Sequence, residues 1–223
     1  MRKYFLPLFF CLFIAQFSKA QYVMSDSLRK VKDSTLKALF TADSLKVENE
    51  FKEKTKWEKF KSLAQYPVIN GGLFSGVIPV KDPTEIPDPT MDYKLLFELS
   101  NDIPDSLIDQ PNEGLVEVAR LINLHVASGI PLKKIFPVVV IHGSPLVAIC
   151  TNNYYQKKFK TDNPNLKLIA DLEKAGVKFI ACGQAMAFKN ITKDDLLPEV
   201  KVSFTAQTVL TSYQLKGYVW MAK

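Results

Sequence analysis

Residues 136–144 read FPVVVIHGS, and residues 177–184 read VKFIACGQ. The first starts as a short continuous apolar run, the second as a strand pattern interrupted by Lys178, and each ends in a polar corner containing glycine. Such runs lack the in-out alternation of a strand with one wet face. They suit strands buried on both faces, as in a parallel sheet. Between them lies a helical pattern. Asn163 can cap a helix with Pro164 at its first position, Leu168, Leu172 and Ala175 line one face, and Gly176 ends it. Strand, helix and strand in this order form a βαβ unit.

The alternation continues outward in both directions. Tyr93–Leu99 (YKLLFEL) predicts an earlier strand. Pro111 or Asn112 opens a helix whose apolar positions Leu115, Val118, Ile122 and Val126 recur at helical spacing. Downstream, Lys201–Phe204 predicts a short strand, Thr205–Lys216 a helix stopped at Gly217, and Tyr218–Met221 a last strand. The expected fold class is α/β. It is a three-layer α/β/α domain with a mostly parallel, about five-stranded sheet, spanning residues 92–223 and preceded by an N-terminal helical arm.

Residues 67–91 predict a connector. Asn70-Gly71-Gly72 and Gly76 permit tight turns, while Pro79, Pro83, Pro87 and Pro89 forbid helix. Residues 21–66 predict a charged helical arm, as two helices or one broken one, with Leu28, Val31 and Leu39 near one face and Trp57, Phe60 and Leu63 near another. It is either a solvated arm or one that docks a partner or braces an oligomer. Residues 1–20 have the layout of a secretory signal peptide: basic Arg2 and Lys3, an apolar stretch to Phe17, then Ser18-Lys19-Ala20. Cys11 falls inside that segment. The apolar stretch is short of the roughly 20 residues that a spanning helix needs. The chain is therefore expected to be exported, periplasmic or secreted, with no integral membrane segment after signal removal.

The net charge of the 223-residue chain is +6, but it is unevenly placed. Residues 1–20 hold three bases and no acids, residues 21–66 ten bases and seven acids, and residues 67–223 sixteen of each. A balanced globular part is not a nucleic-acid-binding surface. Three cysteines exclude a disulfide scaffold, and two histidines leave little for a metal site; no zinc-ligand spacing occurs and no cofactor is expected. The chain contains no G-x-S-x-G, P-loop or G-x-G-x-x-G motif.

Ligands of open parallel sheets sit beyond the carboxyl ends of the strands. Three strand ends carry suggestive residues: Ser100-Asn101-Asp102, His142-Gly143-Ser144 and Cys182-Gly183-Gln184. A cysteine followed by glycine and a helix start would lie near unpaired N–H groups, whose dipoles favour thiolate, the reactive form. A histidine nearby would serve as imidazolium or proton carrier. The bland alternatives are equally open: Cys182 as a small buried hydrophobe and His142 as a backbone-bonding residue. His125 reads as a half-buried helix residue, and Cys150, ending the run LVAIC, as core. Whether Cys150 and Cys182 pair is not given by their spacing.

The segments VVVIHG at 138–143, DNPNLKLIADLEKAGVKFIACGQ at 162–184 and DDLLPEVKVSFTAQTVLTSYQLKGY at 194–218 resemble the DsrE/DsrF-like family, associated with sulfur oxidation and sulfur relay. With Tyr93–Leu99 as the first strand, the resemblance runs from about residue 92 to the end. It implies a three-layer α/β/α domain assembled as a homo-oligomer, a trimer or hexamer. It places the persulfide cysteine of some members at Cys182; the strand ends read above give Asn101, His142, Gly143, Gly183 and Gln184 as the expected binding residues. Where members often carry His-Arg-Gly, this chain has Phe188-Lys189-Asn190. The resulting expectation is a sulfur carrier or sulfurtransferase-type protein with a sulfur donor or acceptor protein as partner. The alternative is a non-catalytic small-ligand-binding or oligomeric assembly module of the same fold.

Overall fold

The computed structural model describes residues 26–101, 104 and 107–221, except the side chain of Leu28. The expected signal segment with Cys11, and Asp102, lie outside the described residues. The chain divides after Thr55 into two compact units, residues 1–55 and 56–223.

Helix α1 spans Asp26–Leu63. The arm is thus one helix, without the expected break, since no glycine or proline interrupts it. In the first unit its described residues are exposed, including Leu36, Phe40, Val47 and Phe51. The hydroxyls of Thr35 and Thr41 donate to Val31 O and Lys37 O one turn earlier. Lys52 and Glu48 form an exposed pair at helical spacing.

In the second unit five strands form one all-parallel sheet: β1 Tyr93–Leu99, β2 Ile135–Ile141, β3 Lys178–Cys182, β4 Lys201–Ser203 and β5 Val219–Trp220. Their spatial order is β4-β3-β2-β1-β5. Every crossover carries a helix: α2 Glu113–Ala127, α3 Asn152–Phe159 with α4 Leu166–Lys174, α5 Gly183–Lys189, and α6 Ala206–Leu215. From β1 to β4 the chain steps in one direction across the sheet. From β4 to β5 it steps back past β1. Right-handed crossovers therefore put α2 to α5 on one face and α6 on the other.

The packing shows the same division. Leu95, Phe97, Leu99, Val139, Ile141, Phe179 and Ala181 pack with α2 residues Leu115, Val118 and Ile122, α4 residues Leu168, Ile169 and Leu172, and Met186 of α5. The alternate strand residues Leu96, Val138, Val140, Ile180 and Cys182 pack under Ala206 and Leu210 of α6. This is the three-layer α/β/α arrangement that the continuous apolar strands demand.

Local signals operate largely as read. Asn112 caps α2, its side chain accepting from Leu115 N–H. Gly176 and Gly217, at φ +93° and +82°, follow the ends of α4 and α6. One signal has another use. Asn163 does not cap α4; its amide donates to Ala148 O and Cys150 O, and Asn165 stands at the helix start. Those two carbonyls belong to the buried 3₁₀ stretch Ser144–Ile149 and its end, which need polar partners inside the protein. The connector is also held. Asn123 on α2, fully buried, accepts from Val68 and Ile69 N–H and donates to Ile69 O and Ser75 O.

Candidate functional site

The carboxyl ends of β1, β2 and β3 lie side by side. Glu98 pairs in register with Val140, and Ile141 with Ala181. One pair further along, His142 falls beside Cys182 on the neighbouring strand, at the ordinary strand spacing of about 4.8 Å. Side-chain alternation decides the face. Glu98 is two residues after Leu96, and His142 two after Val140, so both share the α6 face with Cys182.

His142 leaves β2 with its backbone N–H donating to Leu99 O at 3.0 Å. Its ring Nε2 lies 2.8 Å from Glu98 Oε1, and both side chains are largely covered. In the neutral ring a carboxylate partner holds the proton on Nε2, which leaves Nδ1 as the acceptor. Among the described residues Nδ1 has no partner. Gly143 then turns the chain at φ +66°, and a Cβ there would stand 3.2 Å from Ser100 O, so this corner admits only glycine.

Cys182 is the last residue of β3 and the residue before α5. Only 5% of it is exposed. Its sulfur has a backbone donor, but not from α5: Ala206 N–H, the first of α6, points at Sγ with N···S 3.2 Å. The expected donor side was the helix following Gly183. There Gln184 N–H, in the first turn, donates to Phe204 O instead. Gly183 has a sharper role. A Cβ on it would sit 2.6 Å from Ser203 O, so the β3–α5 corner and the end of β4 are in backbone contact. Ser203, the register partner of Cys182, donates from its hydroxyl to Ala181 O.

Of the residues expected from sequence, His142, Gly143, Cys182, Gly183 and Gln184 therefore gather at the carboxyl edge of β2 and β3. Asn101 follows β1 and is exposed. Two participants were not read from sequence. Glu98 carried a signal, an acid within an apolar strand and on the parity of Leu96. The N–H of Ala206 carried none, since it reaches Cys182 only through the β4–α6 return.

Cys150 is a different kind of thiol. It is fully buried in the opposite layer, with Sγ 3.4 Å from Leu146 O. Burial first, and the nearby Asp195 carboxylate second, push its pKa up to about 12. Cys150 and Cys182 are free, and the sheet separates them. His125 is a half-buried helix residue: its Nδ1 bonds Leu121 O and its ring stands edge-on to Tyr93.

Comparison with known proteins gives one family match. Residues 114–221 match the model of the DsrE/DsrF-like family, a span that starts after β1 and takes in β2 to β5. No curated protein matches the chain. Among solved structures, the protein of unknown function MTH1491 from Methanobacterium thermoautotrophicum is similar at 19% identity and a TM-score of 0.43. The alignment covers 58% of this chain and 98% of that one. Residues 114–221, which carry His142 and Cys182 but not Glu98, thus form a DsrE/DsrF-like domain.

Proposed function

We propose that this protein is an exported sulfur carrier that holds sulfur on Cys182 as a persulfide. The observation that carries the reading is the setting of one sulfur atom. Sγ of Cys182 ends a central strand, takes an N–H bond from the first turn of α6, and shares its face and edge with the Glu98–His142 pair. An N–H donor suits a sulfur that bears negative charge, as thiolate or persulfide. Loading is an exchange. The Cys182 thiolate attacks the outer sulfur of a donor persulfide, a new S–S bond forms at Cys182, the donor's S–S bond breaks, and the donor leaves as a thiolate. No external oxidant is consumed. His142, oriented by Glu98, takes the Cys182 proton through Nδ1 and returns one to the departing thiolate. The chain is a homo-oligomer, a trimer or hexamer, in this reading; the donor and acceptor are persulfide- or thiol-bearing proteins.

The burial of Cys182 favours a second reading, a non-catalytic ligand-binding or assembly module in which the thiol packs under α6. One experiment separates the two. Mature protein is treated with an inorganic polysulfide and its peptides are weighed. One added sulfur atom on the Cys182 peptide, lost in Cys182→Ser and kept in Cys150→Ser, supports the carrier. His142→Ala should slow loading by about a hundredfold. Absence of the adduct from a folded protein favours the module.

A further inference from the structure

We infer that residues 33–54 of α1 form a docking strip for the same strip of a second copy of this chain, running antiparallel. At 100° per residue, Leu36, Phe40, Val47 and Phe51 fall within an arc of about 60°. Each is more than half exposed: 53%, 76%, 52% and 63%. Asp33 and Lys54 continue the same arc at its two ends.

The order along this arc reads the same backwards in chemical terms. Leu36 and Phe51, Phe40 and Val47, and Asp33 and Lys54 are all centred on one point, between Asp43 and Ser44. A two-fold axis through that point, perpendicular to the helix, brings Leu36 level with the second copy's Phe51 and Phe40 level with its Val47. It brings Asp33 level with Lys54 at both ends. Four apolar layers closed by two opposite-charge pairs make a self-complementary surface, which is what an isologous contact requires. A parallel pair fails on charge, since it would set Asp33 against Asp33 and Lys54 against Lys54. The second copy is therefore the occupant this pattern fits. One residue works against the contact: Asp43 lies beside the axis and faces its own copy.

This inference sharpens the self-assembly proposed above and is independent of the sulfur chemistry. Its test uses the full mature chain. Phe40→Cys and Val47→Cys are made separately in a Cys182→Ser background and mixed under mild oxidation. The expected product links 40 to 47, at least about tenfold faster than either variant links to itself. Two copies of position 40 lie seven residues apart in this register, about 10 Å, beyond disulfide reach. Self-linking at an equal rate, or no linking, overturns the proposal. Charge reversal gives a second test by light scattering. Asp33→Lys should weaken this contact about tenfold, Asp33→Lys with Lys54→Asp should restore it, and Asp43→Asn should tighten it. Failure of the double variant to restore association overturns the proposal. In these charge variants polysulfide loading at Cys182 should be unchanged, which separates loss of this contact from loss of the sulfur reading.

Discussion

On one face of the sheet, α2, α4 and α5 cover a broad apolar layer in which Leu115, Ile122, Leu172 and Cys150 are wholly enclosed. On the other face α6 is the main cover among the described residues, with Ala185 and Tyr218 packed beside it, and Cys182 lies beneath its first turn. Both thiols are buried by area, but their surroundings differ. Cys150 is surrounded by packed side chains, and its nearest hydrogen-bonding partner is a carbonyl, which accepts and does not donate. Cys182 faces an N–H donor and lies at the strand ends, beneath the first turn of the short helix α6. The difference teaches that percentage burial alone does not rank cysteines. The thickness of the covering layer and the sign of the nearest dipole must be read with it.

The largest expected effect is on thiol labelling. With a pKa of about 12, only about one Cys150 in ten thousand is thiolate at pH 8. In the folded protein Cys182 should label at least about a hundredfold faster than Cys150. Time-resolved mass spectrometry with iodoacetamide measures both at once. Equal rates would erase the distinction between the faces.

A smaller effect separates the faces by packing. Ile122→Ala opens a void within the thick layer and should cost about 3–4 kcal/mol, whereas Leu210→Ala, on the underside of a single helix that can settle onto the sheet, should cost about 2 kcal/mol. Urea unfolding of the full chain supplies both values. The weaker variant should nevertheless speed Cys182 labelling and the stronger one should not. If Ile122→Ala is the one that exposes Cys182, the two layers are not independent.

The smallest effect lies in the thick layer itself. Glu173 on α4 has a buried Oε1 with no partner among the described residues. Burial, then the nearby Glu199, hold its pKa above the usual 4.5. A carboxyl raised in this way binds its proton more tightly folded than unfolded, so its charged form opposes folding at neutral pH. Glu173→Gln should therefore stabilise the protein slightly at pH 7, and the gain should vanish below about pH 4. Unfolding midpoints at the two pH values decide it. A gain of equal size at pH 4 would assign it to packing rather than charge.

Much of this architecture was legible because it rests on local rules. Tyr93–Leu99 occupies the span its residues announce, and Gly176 and Gly217 end their helices where expected. Helix α3 was missed, because Asn152–Phe159 is polar and short and only Tyr155 is buried. The site was legible in its parts and not in its wiring. Strand ends could be found from runs such as VVVIHG, but the partner of His142 is 44 residues away and the donor to Cys182 is 24 residues away. Those contacts depend on strand order, which the return past β1 fixes and no local pattern encodes.

The side chain of Asn123 has a consequence that concerns single atoms. Its amide nitrogen faces two carbonyl oxygens, Ile69 O and Ser75 O, at 2.7 and 2.9 Å. Aspartate has nearly the same shape, but it would place an oxygen where that nitrogen stands. Three acceptors would then crowd one buried point with no proton among them. An isosteric exchange of NH₂ for O would thus act as a severe lesion, releasing residues 68–75 from α2 while leaving every apolar contact of the sheet unaltered. A hydrophobicity pattern is blind to that change, so the attachment of the connector rests on an element's identity rather than on volume or polarity.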